Sequence, residues 1–589
     1  MEGKLNDDIL RKNNILQRGE RLFVQRFSEI INPLTIDSYY VKFLNAHWAL
    51  YELKKVAESV YHGDTKDDHI NHVVEETRDL LLKDRVLENF NQPLRTILLQ
   101  NISSVKDLKQ NRSHMLRLSV QLNNSLDWFN ENYLNYLLHY LEESIDNNNL
   151  TEVEILTNVL VSELVNRGIS LDYLFWLKKE FVLSKYAALS FKQKWERFKQ
   201  KILESKKEFR CYFRIMGNDT LDTLKKVGLN VMLGKDILDA LNSTSNISEH
   251  IIAKSNYIEI IALANDYFTA SQEAFQVIIE KLNLLRFYHF QVPSILEKAI
   301  VKLPDDDRVY VNEIMKEDKL FKPARGSNKL LRKAMSVLEK SDDTTKDKII
   351  NTIQIIHSDG EESRSMESKY IHLWVALESF VSTGFYRSNI RDIEEIVPPV
   401  ICSQYIFRLL RNFISDCSRC GKEIINKNGE TIDELQYPNR KNVGILLDML
   451  KDDTEHEKLR EYCMGNTLLE HRCETMIDYF SSKEKVLELR NLHFQHVKWH
   501  LHRLYRIRNS LVHLGKTDFN LELFVRHLNV YLNIIVTEVI HRIEEGSYNS
   551  MGAVFLALRD NYCATTAAFS SVGNTYETKD ALDGVLFTN

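Results

Sequence analysis

The stretch Leu504-Tyr505-Arg506-Ile507-Arg508-Asn509-Ser510-Leu511-Val512-His513-Leu514-Gly515-Lys516 sets a guanidinium beside a titratable imidazole. Leu504, Ile507, Leu511 and Leu514 recur at helical spacing and predict a stripe facing a core. At about 100° per residue, Asn509 and His513 then fall about one turn apart on the other side. His502 and Tyr505 join that side, and Arg508 flanks it with a side chain long enough to reach in. Gly515 is a natural helix stop, which puts His513 in the last turn, where the dipole favours an imidazolium. Such a pair suits phosphate chemistry. Arginine offers a rigid fork of donors to the charge of a phosphorane, and histidine moves a proton near neutral pH. Lys498, Arg503, Arg506 and Lys516 concentrate further positive charge on the same helix, a pattern expected to contact phosphate. The plainer reading is a solvated basic face whose terminal histidine only offsets the dipole.

The string Arg508-Asn509-x-x-x-His513, followed by Gly515, resembles the signature of the HEPN ribonucleases, closest to the Apea-like branch of bacterial defence and abortive-infection proteins. An upstream segment, Lys369-Tyr370-Ile371-His372-Leu373-Trp374-Val375-Ala376-Leu377-Glu378-Ser379-Phe380, is similar to that branch's opening helix with its Trp-x-Ala-Leu-Glu pattern. The resemblance covers roughly residues 365–545. It implies a metal-independent endoribonuclease in which the ribose 2′-hydroxyl attacks the neighbouring phosphorus, leaving a 2′,3′-cyclic phosphate and a 5′-hydroxyl. Arg508, Asn509 and His513 are the implied catalytic set, with Glu378, Tyr505 and His502 in support and RNA on the basic residues. It also implies a homodimer, or a higher even-numbered oligomer, whose two copies of the motif meet across a twofold axis. A defence role adds the expectation of a protein or phage-derived trigger. A catalytically inactive HEPN scaffold that binds nucleotide, RNA or a protein partner is the alternative.

A second constellation is Cys417-Ser418-Arg419-Cys420-Gly421, whose paired thiols have the form of half a structural zinc site. The other half is open between Cys463 with Cys473, and His496 with His500 one turn apart. Ordinary free thiols are the alternative. No cofactor is expected for catalysis itself. Gly228 and Gly234-Lys235 do not form a phosphate loop, because Asp236 stands where the hydroxyl residue is required. His493, His496 and His500 share the stripe of Leu504 and Leu511, an unusual density of imidazole in a core face.

These residues need long helices to position them, and the composition supplies them. The 589 residues contain only 8 prolines and 19 glycines, so few breakers interrupt the chain, and the expected class is mainly α. A net charge of −6 gives no global pull on nucleic acid, so RNA contact would have to be local. Seven scattered cysteines make no disulfide framework, the polar start Met1-Glu2-Gly3-Lys4 carries no apolar secretory run, and no stretch looks apolar for the ~20 residues that span a bilayer; a cytoplasmic protein with no membrane partner is expected. Along the chain the pattern predicts a helical region over residues 1–204 and a small α/β module over 205–320. A charged linker over 321–364 comes next, then an HEPN-like helical domain over 365–545 with an insertion at 386–483, and a tail over 546–589. Within the module, Phe209–Ile215, Tyr257–Leu263, Ala299–Leu303 and Arg308–Val311 read as strands, and Ser271–Leu285 as a helix.

Overall fold

The structure is a computed structural model that describes residues 5–32, 44–63, 70–103, 112–217, 221–240, 250–303, 309–314, 327–356, 365–382, 389–432, 440–515, 517, 521–546, 548 and 550–571. It is mainly helical, with one five-stranded antiparallel sheet in mid-chain, as the scarcity of breakers predicts. The chain divides into two compact units, one formed by residues 1–29, 36–163 and 323–589, the other by 30–35 and 164–322.

The smaller unit holds the sheet. Strands β1 (Lys207–Met216), β2 (Asn230–Leu233), β3 (Asn256–Ala264), β4 (Ser294–Lys302) and β5 (Val309–Glu313) lie in the order β2-β3-β1-β4-β5. Every pairing is antiparallel, so β1 is the central strand, with Cys211 opposite Ile260 on one side and Val301 on the other. The helix Tyr267–Phe287 buries Ala270, Ala274, Phe275, Ile278 and Leu282, and Phe275 meets Phe213 of β1 at 5.7 Å. Four of the strands and this helix follow the sequence pattern. The fifth, β2, is four residues long, too short to show an alternation. Asp266 caps the helix by accepting from the backbone N–H of Phe268 and Thr269, each at 2.9 Å.

The larger unit joins the N-terminal helices to the C-terminal bundle, so residues 1–204 are not a free-standing region. Two helices of its N-terminal part, Ala46–His62 and Ile70–Leu82, pack on each other, and the second also touches the helix Lys483–Leu514. The bundle is built around that last helix, which carries the Arg-His motif, and the opening helix Met366–Val381. Ser482 caps the motif helix, and Gly515 ends it in the left-handed conformation (φ 70°), donating its N–H to the Leu511 carbonyl at 3.1 Å. That end was legible from the glycine. One core gathers Leu373, Trp374, Leu377 and Phe380 with Leu501, Leu504, Ile507 and Leu511.

Three boundaries differ from the sequence reading. The helix Asn389–Ser403 falls inside the expected insertion, yet Ile393, Val397 and Val400 belong to the same core. Part of the expected linker forms the helices Ser327–Lys340 and Asp343–Gln354, whose Val337 and Ile349 reach that core too. Part of the expected tail forms the helix Met551–Ser571, burying Val554, Phe555 and Leu558, while residues 572–589 lie outside the described residues. The helix Leu521–Glu544 contains a segment, Leu523–Glu544, long and apolar enough to cross a membrane by length and composition alone, which the sequence reading overlooked. Its Leu528, Leu532, Ile535 and Val539 are fully buried in the bundle, which accounts for the apolarity.

Candidate functional site

The opening and motif helices touch at two fixed points. The buried Tyr370 hydroxyl donates to the Leu504 carbonyl at 2.6 Å, and the rings of Trp374 and Tyr505 lie 5.9 Å apart. This contact sets the register that brings Glu378 alongside Arg508, with Nη2 to Oε2 at 4.0 Å. Arg508 also donates through Nη1 to the Asn509 side-chain oxygen at 3.1 Å. The arginine stays 28% exposed and the glutamate 20% exposed, while His513 is exposed in the last turn of the helix. Arg508, Asn509 and Glu378 are therefore brought together at a partly open surface. His513 stands one turn beyond Asn509 on the same helix, open to solvent.

The expected basic patch is mostly committed elsewhere. Arg503 is buried, donating through Nε and Nη2 to Glu52 at 3.0 Å and pairing with Glu76 as well. Arg506 pairs with Glu52 through Nη2 at 2.6 Å. The expectation that these two arginines contact RNA is thus corrected: both are spent on carboxylates of the helices Ala46–His62 and Ile70–Leu82. Burial would raise the Glu52 carboxyl, but Arg503 and Arg506 outweigh that and hold it down at about 2. Glu76 goes the other way, raised by burial, since Arg503 is its one paired guanidinium and ionised Glu52 lies nearby. One fully ionised carboxylate and a second that keeps its proton more readily is the arrangement the contacts support. Lys498 is half-buried on the same helix, and Lys516 lies outside the described residues.

His502 is also engaged, one turn before Arg506. Its Nε2 is 2.6 Å from Glu394 Oε1, and its ring stacks on that of His72 at 3.6 Å with 21° between the planes. Among the described residues, His72, Glu394 and His502 form one trio of potential metal ligands whose donor atoms all lie within 4.8 Å of one another. Burial pushes His72 down to about 3, with His502 and Lys498 adding to the effect, and burial likewise lowers His502 against the pull of Glu394. The supporting role expected of His502 at the Arg-His motif is not what this geometry shows. Sequence reasoning missed His72, Glu394, Glu52 and Glu76 altogether. No local signal marks them, because they come from three helices far from the motif in sequence, Ala46–His62, Ile70–Leu82 and Asn389–Ser403.

The cysteines are partly gathered. The Cys463 thiol interacts with those of both Cys417 and Cys473, and feels Cys420 electrostatically. Cys417, Cys463 and Cys473 are buried; Cys420 is half-buried, its thiol pushed up to about 11 chiefly by burial and then by Asp416. His500 lies apart, its Nδ1 sharing a hydrogen bond with the Tyr531 hydroxyl at 2.9 Å and its ring near His527 and Phe524. His496 packs against Trp499. The helices Tyr405–Arg419, Asp453–Cys463 and Thr467–Tyr479 thus bring Cys463 to Cys417 and Cys473, but the four thiols do not close into a cluster of mutually adjacent ligand atoms, and His500 and His496 pack elsewhere. Four thiols of that kind fit a structural zinc ion in donor chemistry. His493 is a packed core residue, stacked on Tyr405 at 3.7 Å and lowered to about 3 by burial.

Compared with protein-family models, curated proteins and solved structures, the chain matches none.

Proposed function

We propose that the chain is a metal-independent endoribonuclease of the HEPN type, acting as a regulated antiviral, anti-phage effector, with Arg508, Asn509 and His513 as its catalytic residues. The reading rests on the sequence resemblance. The observation that carries it furthest is the packing of the opening helix on the motif helix, which sets Glu378 beside Arg508 and leaves Asn509 half-buried and His513 exposed. Two such surfaces meeting across a twofold axis would supply a guanidinium for the phosphorane and an imidazole for proton transfer to or from the 2′- and 5′-oxygens. Proton transfer of this kind contributes ~10²–10⁴-fold. Glu378 would hold the Arg508 fork in place through Nη2 and Asn509 would accept from Nη1, leaving further N–H donors for the phosphate. Structural zinc on Cys417, Cys420, Cys463 and Cys473 would have no part in the chemistry.

The test is to incubate the full chain with RNA, adding EDTA at the start, and to analyse the ends. Cleavage leaving 2′,3′-cyclic phosphates is expected, with a loss of at least ~10²-fold in Arg508→Ala and in His513→Ala. Cleavage unchanged in both variants would remove this site from the reaction. One observation favours the scaffold reading: Arg503 and Arg506 are already paired with Glu52 and Glu76, which leaves fewer free cations to hold RNA for cleavage. RNA binding with no cleavage under any triggering condition would decide for that scaffold.

A further inference from the structure

We propose that His72, Glu394 and His502 bind a divalent transition-metal ion of the zinc class, at a site separate from the cysteines. The three residues arrive from the helices Ile70–Leu82, Asn389–Ser403 and Lys483–Leu514, so the ion would pin three distant stretches of chain at one point. Their donor atoms already lie within 4.8 Å of one another, and His502 Nε2 is 2.6 Å from Glu394 Oε1. Two imidazoles and a carboxylate are a common zinc donor set, leaving a fourth position for water or a further oxygen.

Ordinary packing explains the trio poorly. His502 is buried, and neither of its ring nitrogens makes a well-directed hydrogen bond; His72 Nδ1 is buried and lacks one as well. Buried polar atoms without partners are rare, and each needs a reason. Buried imidazole nitrogens without a well-directed hydrogen bond, set beside a carboxylate, have their reason in a shared cation. Charge permits it. Of the two cations that act on both histidines, Arg506 pairs with Glu52 at 2.6 Å, and Lys498 is half-buried with access to water. Nitrogen and oxygen donors favour zinc, nickel or cobalt over calcium and magnesium.

The test uses the full chain, stripped of metal and reloaded with zinc or cobalt. Zinc content should fall by one equivalent per chain in His72→Ala and in Glu394→Gln, and affinity at this site should weaken at least tenfold. Cobalt at this site should give weak visible bands without the sulfur-to-metal charge-transfer band of a thiolate site. That part of the spectrum should vanish in His72→Ala and persist in Cys463→Ser. His72 is half-buried on an N-terminal helix, so its loss leaves the bundle core intact, and far-ultraviolet dichroism verifies the fold of each variant. Arg508→Ala should keep its full metal content, which separates this outcome from the fate of the ribonuclease reading. Equal zinc content and an equal cobalt spectrum in folded wild type and His72→Ala would overturn the proposal.

Discussion

At the scale of residues, the ionic cluster one turn before Arg508 has the largest consequence. Arg503 and Arg506 share Glu52, and all three are buried or nearly so, so removing one partner strands charge that water cannot reach. Glu52→Gln is expected to lower stability by ~3–5 kcal/mol, read from the denaturant midpoint. The pH dependence has a definite sign. A carboxyl held at about 2, against 4.5 when free, contributes stability that is complete above pH 4.5 and fades as pH falls towards 2. Glu76, raised, contributes with the opposite sign. Wild type should therefore lose stability faster than Glu52→Gln over that acid range, in melts followed by dichroism; parallel curves would show that the pair is not coupled to folding. The same cluster shows what sequence could and could not give. The spacing of Arg508, Asn509 and His513 on the helix was legible because the periodicity of Leu504, Ile507 and Leu511 orients every neighbour. The fate of Arg503 and Arg506 was not, because their partners lie more than 400 residues away along the chain.

At the scale of elements, the C-terminal helix Met551–Ser571 was hidden by composition. Its Ala, Ser and Thr content reads as weakly structured, and its apolar residues crowd together over residues 553–558 instead of marking out one face. Yet Val554, Phe555 and Leu558 are buried in the bundle, Phe555 meets Phe380 of the opening helix at 6.1 Å, and Arg490 of the motif helix lies 4.1 Å over the Tyr562 ring. Burial of an aliphatic or aromatic side chain contributes ~1.5–3 kcal/mol, so this helix supplies an amount comparable to the ~5–15 kcal/mol net stability of a domain. A chain ending at Gly546 should thus fail to form a cooperative bundle, showing loss of the sharp thermal transition and aggregation on expression. A soluble truncated protein with an unchanged melting temperature would mean that this packing is dispensable. The helix Asn389–Ser403 was misread too. It was assigned to an insertion, yet it continues through Pro398 and Pro399, which lack two backbone donors, because Val397, Val400 and Ile401 are held by the core.

At the scale of the whole molecule, the N-terminal helices are part of the bundle's charge balance. Near one end of that contact, Asp7 accepts from the Thr467 backbone N–H at 2.9 Å and pairs with Arg21 at 3.0 Å, Gln25 accepts from the Leu468 N–H at 2.8 Å, and Glu29 pairs with Arg472. Arg472 is also held by Asp416 at 2.7 Å, and burial of Glu29 is outweighed by Arg472 and Arg26, which hold its carboxyl at about 2. At the other end stand Glu52 and Glu76 against Arg503 and Arg506. Both locks are buried, so salt screens them weakly, unlike surface pairs. This arrangement explains why residues 1–29 and 36–163 belong to one unit with 323–589. It also makes a fragment experiment decisive. Residues 323–589 expressed alone would expose Arg472, Arg503 and Arg506 on an uncovered apolar surface without their carboxylates, and should be insoluble or lack a cooperative melt. Co-expression with residues 1–166 should restore a soluble complex that co-purifies, and Glu29→Gln with Glu52→Gln in the smaller piece should abolish that rescue. If the C-terminal piece alone melts as sharply as the intact chain, the N-terminal helices are an accessory to the bundle, and any trigger must act without moving them.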